Sequence, residues 1–238
     1  MMNFLQTAAT AASDVTLELS ETTQTMGLWE LFSKGGWLMW PLLALGGVTI
    51  YIFVERYMEI QRAGKIDKDF MNVIRDLITE GRVRAALEMC RENDTPIARM
   101  IEKGISRIGR PMSDVQSAVE NVANLEVSKL EENLPILATI AGGAPMIGFL
   151  GTVLGMVQTF MEMSAAGGTV DMSLLAGGMY VAMVTTVAGL IVGIPAYFFH
   201  NYLAARIEKL VFRMEANSIA FLDLLSQPAK STTKSTNA

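Results

Sequence analysis

The chain has 238 residues, 51% of them apolar and 18% charged, and its mean hydropathy is positive. Three runs, 35–54, 134–161 and 172–205, carry no Asp, Glu, Lys or Arg, and each has about the 20 residues or more that cross a bilayer. That excludes a water-soluble globular domain. A β-barrel is excluded as well, because it needs many short alternating segments and none occur. What is left is an all-α integral membrane protein with three transmembrane helices, in which each backbone is satisfied within its own helix. Cys90 is the only cysteine, so no internal disulfide can form. One cysteine and one histidine build no zinc site, and neither a metal, a cofactor nor a nucleic-acid partner is expected.

Residues 1–26 are polar and Thr-rich, without the basic n-region or continuous apolar core of a signal peptide. They are expected to form a disordered outer segment. Residues 27–34, with Leu28, Trp29, Leu31 and Phe32, are expected as a short interfacial helix, and Trp37 and Trp40 belong to the same aromatic belt. The first span covers 35–55. Its helix continues past Met58 and Gln61, since nothing breaks it before Gly64.

Residues 56–134 read as a helical domain that carries the long helices on outside the membrane. Asp67 caps a helix from Lys68 to about Glu80, with Phe70, Val73, Ile74, Leu77 and Ile78 at 3–4 spacing, and Gly81 ends it. A short helix follows from Val83 to Arg91. Thr95-Pro96 is a cap followed by a first-turn proline, opening a helix to about Ile108. After the break at Gly109 to Pro111, Ser113 starts a helix that is expected to run on into the second span, kinked at Pro135. The second span covers 135–161, the loop 162–172 and the third span 173–200. The uncharged run 172–205 has 34 residues, about 50 Å of helix against a hydrocarbon core of about 30 Å. It must leave the membrane as the helix 201–227, before a tail at 228–238.

Charge fixes the orientation. Thirteen Lys and Arg lie between Glu55 and Leu134 and five follow Ala205, whereas 1–35 holds only Lys34 and 162–171 holds none. Positive residues stay on the cytoplasmic side. The N-terminus is therefore expected outside and the C-terminus inside, in an inner membrane.

On the second span Pro145, Gly148, Thr152, Gly155, Thr159 and Glu162 follow at steps of 3, 4, 3, 4 and 3, which is one helix face. On the third, Gly178, Ala182, Thr185 or Thr186, Gly189, Gly193, Ala196 and His200 do the same. Small residues at such intervals let membrane helices pack closely, and Thr can bond its own backbone. The same residues could instead line a path for a polar species.

The segment Gly148-Phe149-Leu150-Gly151-Thr152-Val153-Leu154-Gly155-Met156 resembles the second-helix signature of the ExbB/TolQ/MotA proton-channel family. The segment from Thr186 through Gly189-Leu190 to Ile194-Pro195-Ala196 resembles the third-helix signature of that family. Both motifs stand in the family's order, and the three-span layout is similar to ExbB and TolQ rather than to four-span MotA.

The resemblance implies a homo-oligomeric ring, commonly a pentamer, in the lipid bilayer. The ring would surround the helix of an ExbD-like single-span partner that carries an essential aspartate. It also implies a TonB-like protein that delivers force to outer-membrane transport, or the corresponding TolQ role in envelope maintenance. Thr152 and Thr186 match the threonines that face the aspartate, with Thr185 and Thr159 counted beside them. Pro145, Gly148, Gly155, Ala182, Gly189 and Gly193 become pore-facing packing positions. By their places at the ends of the stripes, Glu162 reads as an interfacial charge and His200 as a packing or interfacial residue, with entry and exit of a pathway as the alternative roles. Several family members carry a glutamate five residues before the third-helix threonine, where this chain has Val181. A relay must then use the partner's carboxylate, hydroxyls and water. No nucleophile–base pair or metal set lies in the spans, so an enzyme is not expected. A non-conducting scaffold is the alternative from another class.

Overall fold

The structure, a computed structural model, describes residues 36–65, 69–165 and 172–226. The outer segment 1–26, the interfacial helix 27–34, the Asp67 cap, most of the loop 162–172 and the tail 228–238 lie outside those residues. Among the described residues the regular structure is α-helical: α1 (Met39–Ala63), α2 (Phe70–Thr79), α3 (Val83–Glu92), α4 (Pro96–Ile105), α5 (Met112–Glu131), α6 (Leu134–Ala165) and α7 (Met172–Ser226).

Local chemistry sets the ends. Gly81 and Gly109 take φ of +76° and +94°, a backbone that side chains resist, and stop α2 and the turn after α4. Thr95 caps α4, its Oγ1 accepting from the Ala98 amide at 3.3 Å, and Pro96 takes the first turn. One expectation fails. α5 and α6 are separate helices, and the break lies at Asn133 (φ +66°), two residues before Pro135. Asn tolerates the left-handed region, whereas a first-turn proline disturbs no helical bond.

Among the described residues, three stretches are long and apolar enough to cross a membrane: Met39–Ala63, Met112–Ala165 (α5 with α6) and Leu175–Ser226. Only 28%, 22% and 33% of their most apolar windows is buried within the chain, so lipid or further chains must cover the rest. Trp37, Ile50, Tyr51, Phe149, Met161 and Ile191 are among the large side chains left outside.

Contacts divide the chain into two compact units, Met1–Leu42 with Ile147–Gly189, and Leu43–Met146 with Leu190–Ala238. The second unit holds the larger core. Ile74 of α2, Cys90 of α3, Met100 and Ile101 of α4, Val119 of α5 and Phe221 of α7 are all but fully buried. Burying a side chain of that size contributes about 1.5–3 kcal/mol. α4 is covered nearly all round, and it lacks a side chain at Gly104, where a methyl group would strike the Phe221 ring and Val119. Glu126 is buried with Arg99 and Lys129 paired to its two carboxylate oxygens, Lys129 at 2.9 Å. Burial alone would push the Glu126 carboxyl up, but the hydrogen bonds and charges of Arg99 and Lys129 together hold it below its ordinary value. Arg56, one of the thirteen Lys and Arg between Glu55 and Leu134, is buried against Glu59 (2.6 Å) and the Lys129 carbonyl (3.1 Å). α1 packs through Phe53, stacked on Phe199 with centroids 4.0 Å apart, and through Gly46 beside Val192.

Candidate functional site

The first unit brings the two small-residue stripes together. A methyl group at Gly148 of α6 would lie 2.9 Å from the Thr185 carbonyl oxygen, 3.1 Å from Thr186 Cα and 3.2 Å from Gly189 Cα. One at Gly155 would lie 3.0 Å from Ala182 Cβ. Gly151 faces the Thr185 side chain, and Gly178 faces Thr159. In this seam the backbones approach as closely as small residues permit, which is how membrane helices gain dispersion energy without a hydrophobic drive. In the second unit the same two helices continue the pattern. A methyl group at Gly193 would meet the Pro145 ring at 2.5 Å, and Ala196 is fully buried.

The four candidate hydroxyls therefore separate. Thr185 and Thr159 are each 2% exposed and close the seam. Thr185 Oγ1 donates to the Ala182 carbonyl at 2.7 Å, with the Gly148 carbonyl at 3.4 Å, and Thr159 Oγ1 donates to Gly155 at 2.8 Å. Thr152 and Thr186 flank the seam, half-buried. Thr152 Oγ1 donates to the Phe149 carbonyl at 2.6 Å, whereas Thr186 Oγ1 crosses to the Gly148 carbonyl at 3.2 Å. The sequence had placed them on two stripes, one on each helix, shared with the glycines. In the fold, Gly148, Gly155, Ala182, Gly189 and Gly193 are turned toward the neighbouring helix.

A hydroxyl whose proton is held by a carbonyl still offers its oxygen lone pairs. Thr152 and Thr186 can accept a hydrogen bond from a protonated group as they stand. They can donate to an anion only by rotating off Phe149 and Gly148. The Thr186 bond, at 3.2 Å, is the longer of the two and the easier to exchange.

Glu162 is exposed, accepts from Gln158 at 3.1 Å and borders an open cavity of about 210 Å³ together with Thr159 and Val181. His200, in the second unit, is half-buried at a cavity of about 480 Å³ that Glu131 and Glu208 also line. Among positions not singled out from sequence, Gly151 belongs to the seam. The steps Gly148, Gly151, Gly155, Thr159 fit a helix face as well as a path through Thr152 does, and that equivalence was the available signal.

Comparison with known proteins gives the relationship. The family model described as the MotA/TolQ/ExbB proton channel family matches residues 92–216, more than half of the chain. An ExbB homolog of Methanothermobacter thermautotrophicus, among the biopolymer transport proteins, is 30% identical over 190 residues, covering 78% of this chain and 66% of that relative. The biopolymer transport protein ExbB of Aquifex aeolicus is 37% identical over 112 residues, 46% of this chain and 74% of that protein. The Tol-Pal system protein TolQ of Haemophilus influenzae is 36% identical over 93 residues, 39% of this chain and 40% of that protein.

Proposed function

The chain belongs to the MotA/TolQ/ExbB proton channel family, and on that footing we propose that it is the ring-forming subunit of a proton-driven motor in the inner membrane. Five copies enclose the single-span helix of an ExbD-like partner, with the N-terminus periplasmic, residues 56–134 and 201–227 cytoplasmic, and 162–172 a periplasmic loop. Proton flow turns or shifts ring against helix, and a TonB-like protein carries the force to outer-membrane transport.

The observation that carries the proposal is the pair of half-buried hydroxyls, Thr152 and Thr186, beside a seam too tight to yield. A carboxylate in the bilayer interior costs about 2.5–3.5 kcal/mol. A hydrogen bond to a charged group returns about 1.5–3 kcal/mol. Each hydroxyl first gives up its carbonyl bond, at about 0.5–1.5 kcal/mol, so two together roughly balance that cost and one falls short. The aspartate of the partner is thus held where ionised and protonated forms are close in free energy, as a proton carrier needs. One charge crossing 100 mV supplies about 2.3 kcal/mol to bias the cycle.

The test is Thr152→Val with Thr186→Val in the assembled complex. Loss of proton-dependent uptake with intact assembly supports the proposal, and undiminished uptake overturns it. The similarity to TolQ over 93 residues favours a second reading, an envelope-maintenance motor of the same mechanics. Genes for TolR and TolA beside this one, rather than for ExbD and TonB, select it.

A further inference from the structure

Where the second unit meets the end of the uncharged runs, α1 and α7 leave a cavity of about 290 Å³ whose lining includes Lys65, Arg206, Lys209 and Arg213 and, among the described residues, no carboxylate. In a chain with 24 acidic and 19 basic residues this is an uneven distribution. Arg206, Lys209 and Arg213 share one face of α7, at steps of 3 and 4, and Lys65 comes from the end of α1. All four are exposed, and none has an ion pair among the described residues. Tyr202 holds Arg206 in place, its Oη accepting from Nε at 3.2 Å and Nη2 at 2.8 Å, with the guanidinium 5.2 Å from the ring centroid.

The rest of the wall suits an amphiphile. Ile60, Leu203 and Leu210 are apolar, and Tyr57 and Gln61 add a hydroxyl and an amide. Arg206 is the first charge after the uncharged run 172–205, and Lys65 lies 11 residues, about 16 Å of helix, beyond the end of the run 35–54. Arg206 stands six residues, about 9 Å of helix, past the third span 173–200, so the cavity lies on the aqueous side of the headgroup layer, and its long cationic side chains reach back toward the phosphates. Its volume is at the lower end of small-molecule clefts, enough for a headgroup and too little for a whole lipid.

We propose that this cavity binds the phosphate of an anionic phospholipid headgroup from the adjacent leaflet. The bound phosphodiester neutralises the α7 cations and ties α1 to α7 at the membrane surface. Basic pockets between transmembrane helices recognise anionic headgroups in this way, each cation near the surface being worth about a fivefold change in affinity.

The test uses full-length protein in neutral detergent, titrated with phosphatidylglycerol or phosphatidylcholine of the same acyl chains and read by native mass spectrometry. Phosphatidylglycerol is expected to bind and phosphatidylcholine to bind far more weakly. The triple variant Arg206→Gln, Lys209→Gln, Arg213→Gln is expected to lose about 100-fold in phosphatidylglycerol affinity. A control triple, Arg75→Gln, Arg84→Gln, Arg110→Gln, removes three exposed cations elsewhere and should change it little. All six positions are exposed, and unchanged melting in detergent alone shows that each variant is folded. Equal binding of the two lipids, or an equal loss in the control triple, overturns the proposal. Displacement of phosphatidylglycerol by millimolar inorganic phosphate would reassign the site to a free anion and overturn the lipid headgroup as its ligand, and retention of the lipid supports it.

Discussion

Gly148→Ala places one methyl group against three backbone atoms of α7, the nearest at 2.9 Å. Ordinary carbon contacts start near 3.5 Å, and backbone cannot swing aside as a side-chain tip can. The helices must part by about 0.5 Å, an overpacking cost of about 1–3 kcal/mol. The Thr186 and Thr185 hydroxyls stand 3.2 and 3.4 Å from the Gly148 carbonyl. The same movement takes them out of bonding range, at about 0.5–1.5 kcal/mol. Alanine returns about 1 kcal/mol through helix propensity. The balance is a loss of about 2 kcal/mol, which at about 2–4 °C per kcal/mol for a chain of this size lowers the melting midpoint by about 4–8 °C. Gly142→Ala is the control on the same helix, since nothing lies within 4 Å of its added methyl group, and it should hold or raise the midpoint. Melting of the detergent-solubilised variants, followed by circular dichroism, reads both. A Gly148→Ala protein as stable as the parent, or a Gly142→Ala protein equally weakened, refutes the close α6–α7 approach.

Three further outcomes follow from the core of the second unit. Gly104→Ala drives a methyl group into the Phe221 ring and Val119, and Phe221 is fully buried, so a destabilisation of about 1–3 kcal/mol is expected in the same melting assay. Glu126 has its carboxyl held below the ordinary value. Its stabilisation is therefore complete above the ordinary glutamate value, about 4.3, and is lost as pH falls from there through its own lower value. Glu126→Gln should cost about 1.5–3 kcal/mol at neutral pH and flatten that acid loss, and an unchanged acid profile would count against the network. Burial first, and then the charge of Glu102, pushes the Cys90 thiol up to about 12. Maleimide at pH 7.5 should modify it only on unfolding, and rapid labelling of folded protein contradicts its 1% exposure.

Much of the helix order was legible because local rules set it. Thr95-Pro96 and Gly81 act within a few residues and mark helix ends in the structure, and Gly109 closes the turn that follows α4. The break between α5 and α6 was missed, and only a kink expected at Pro135, because Asn133 betrays its left-handed backbone only once φ is known. The stripes of small residues were visible as periodicities, but periodicity gives a face and not what covers it. Only the fold shows that the two stripes largely cover each other, burying Thr185 and Thr159 and leaving Thr152 and Thr186 at the edge. Arg56 and Glu126 could not be read as buried from sequence, since charged residues on exposed and buried helix faces look alike until their partners across the fold are known.

The central claim is that Thr152 and Thr186 face a carboxylate supplied by another polypeptide. The chain's one native thiol, Cys90, is buried, so a cysteine introduced at either position reports without background. The decisive measurement is disulfide trapping, in the assembled complex, between Cys at 152 or 186 and Cys replacing the partner's membrane aspartate. The account predicts a rapid cross-link from both positions and far less from an exposed control such as Phe149→Cys. A cross-link that forms as readily from Phe149, or fails from both threonine positions in an intact complex, contradicts it.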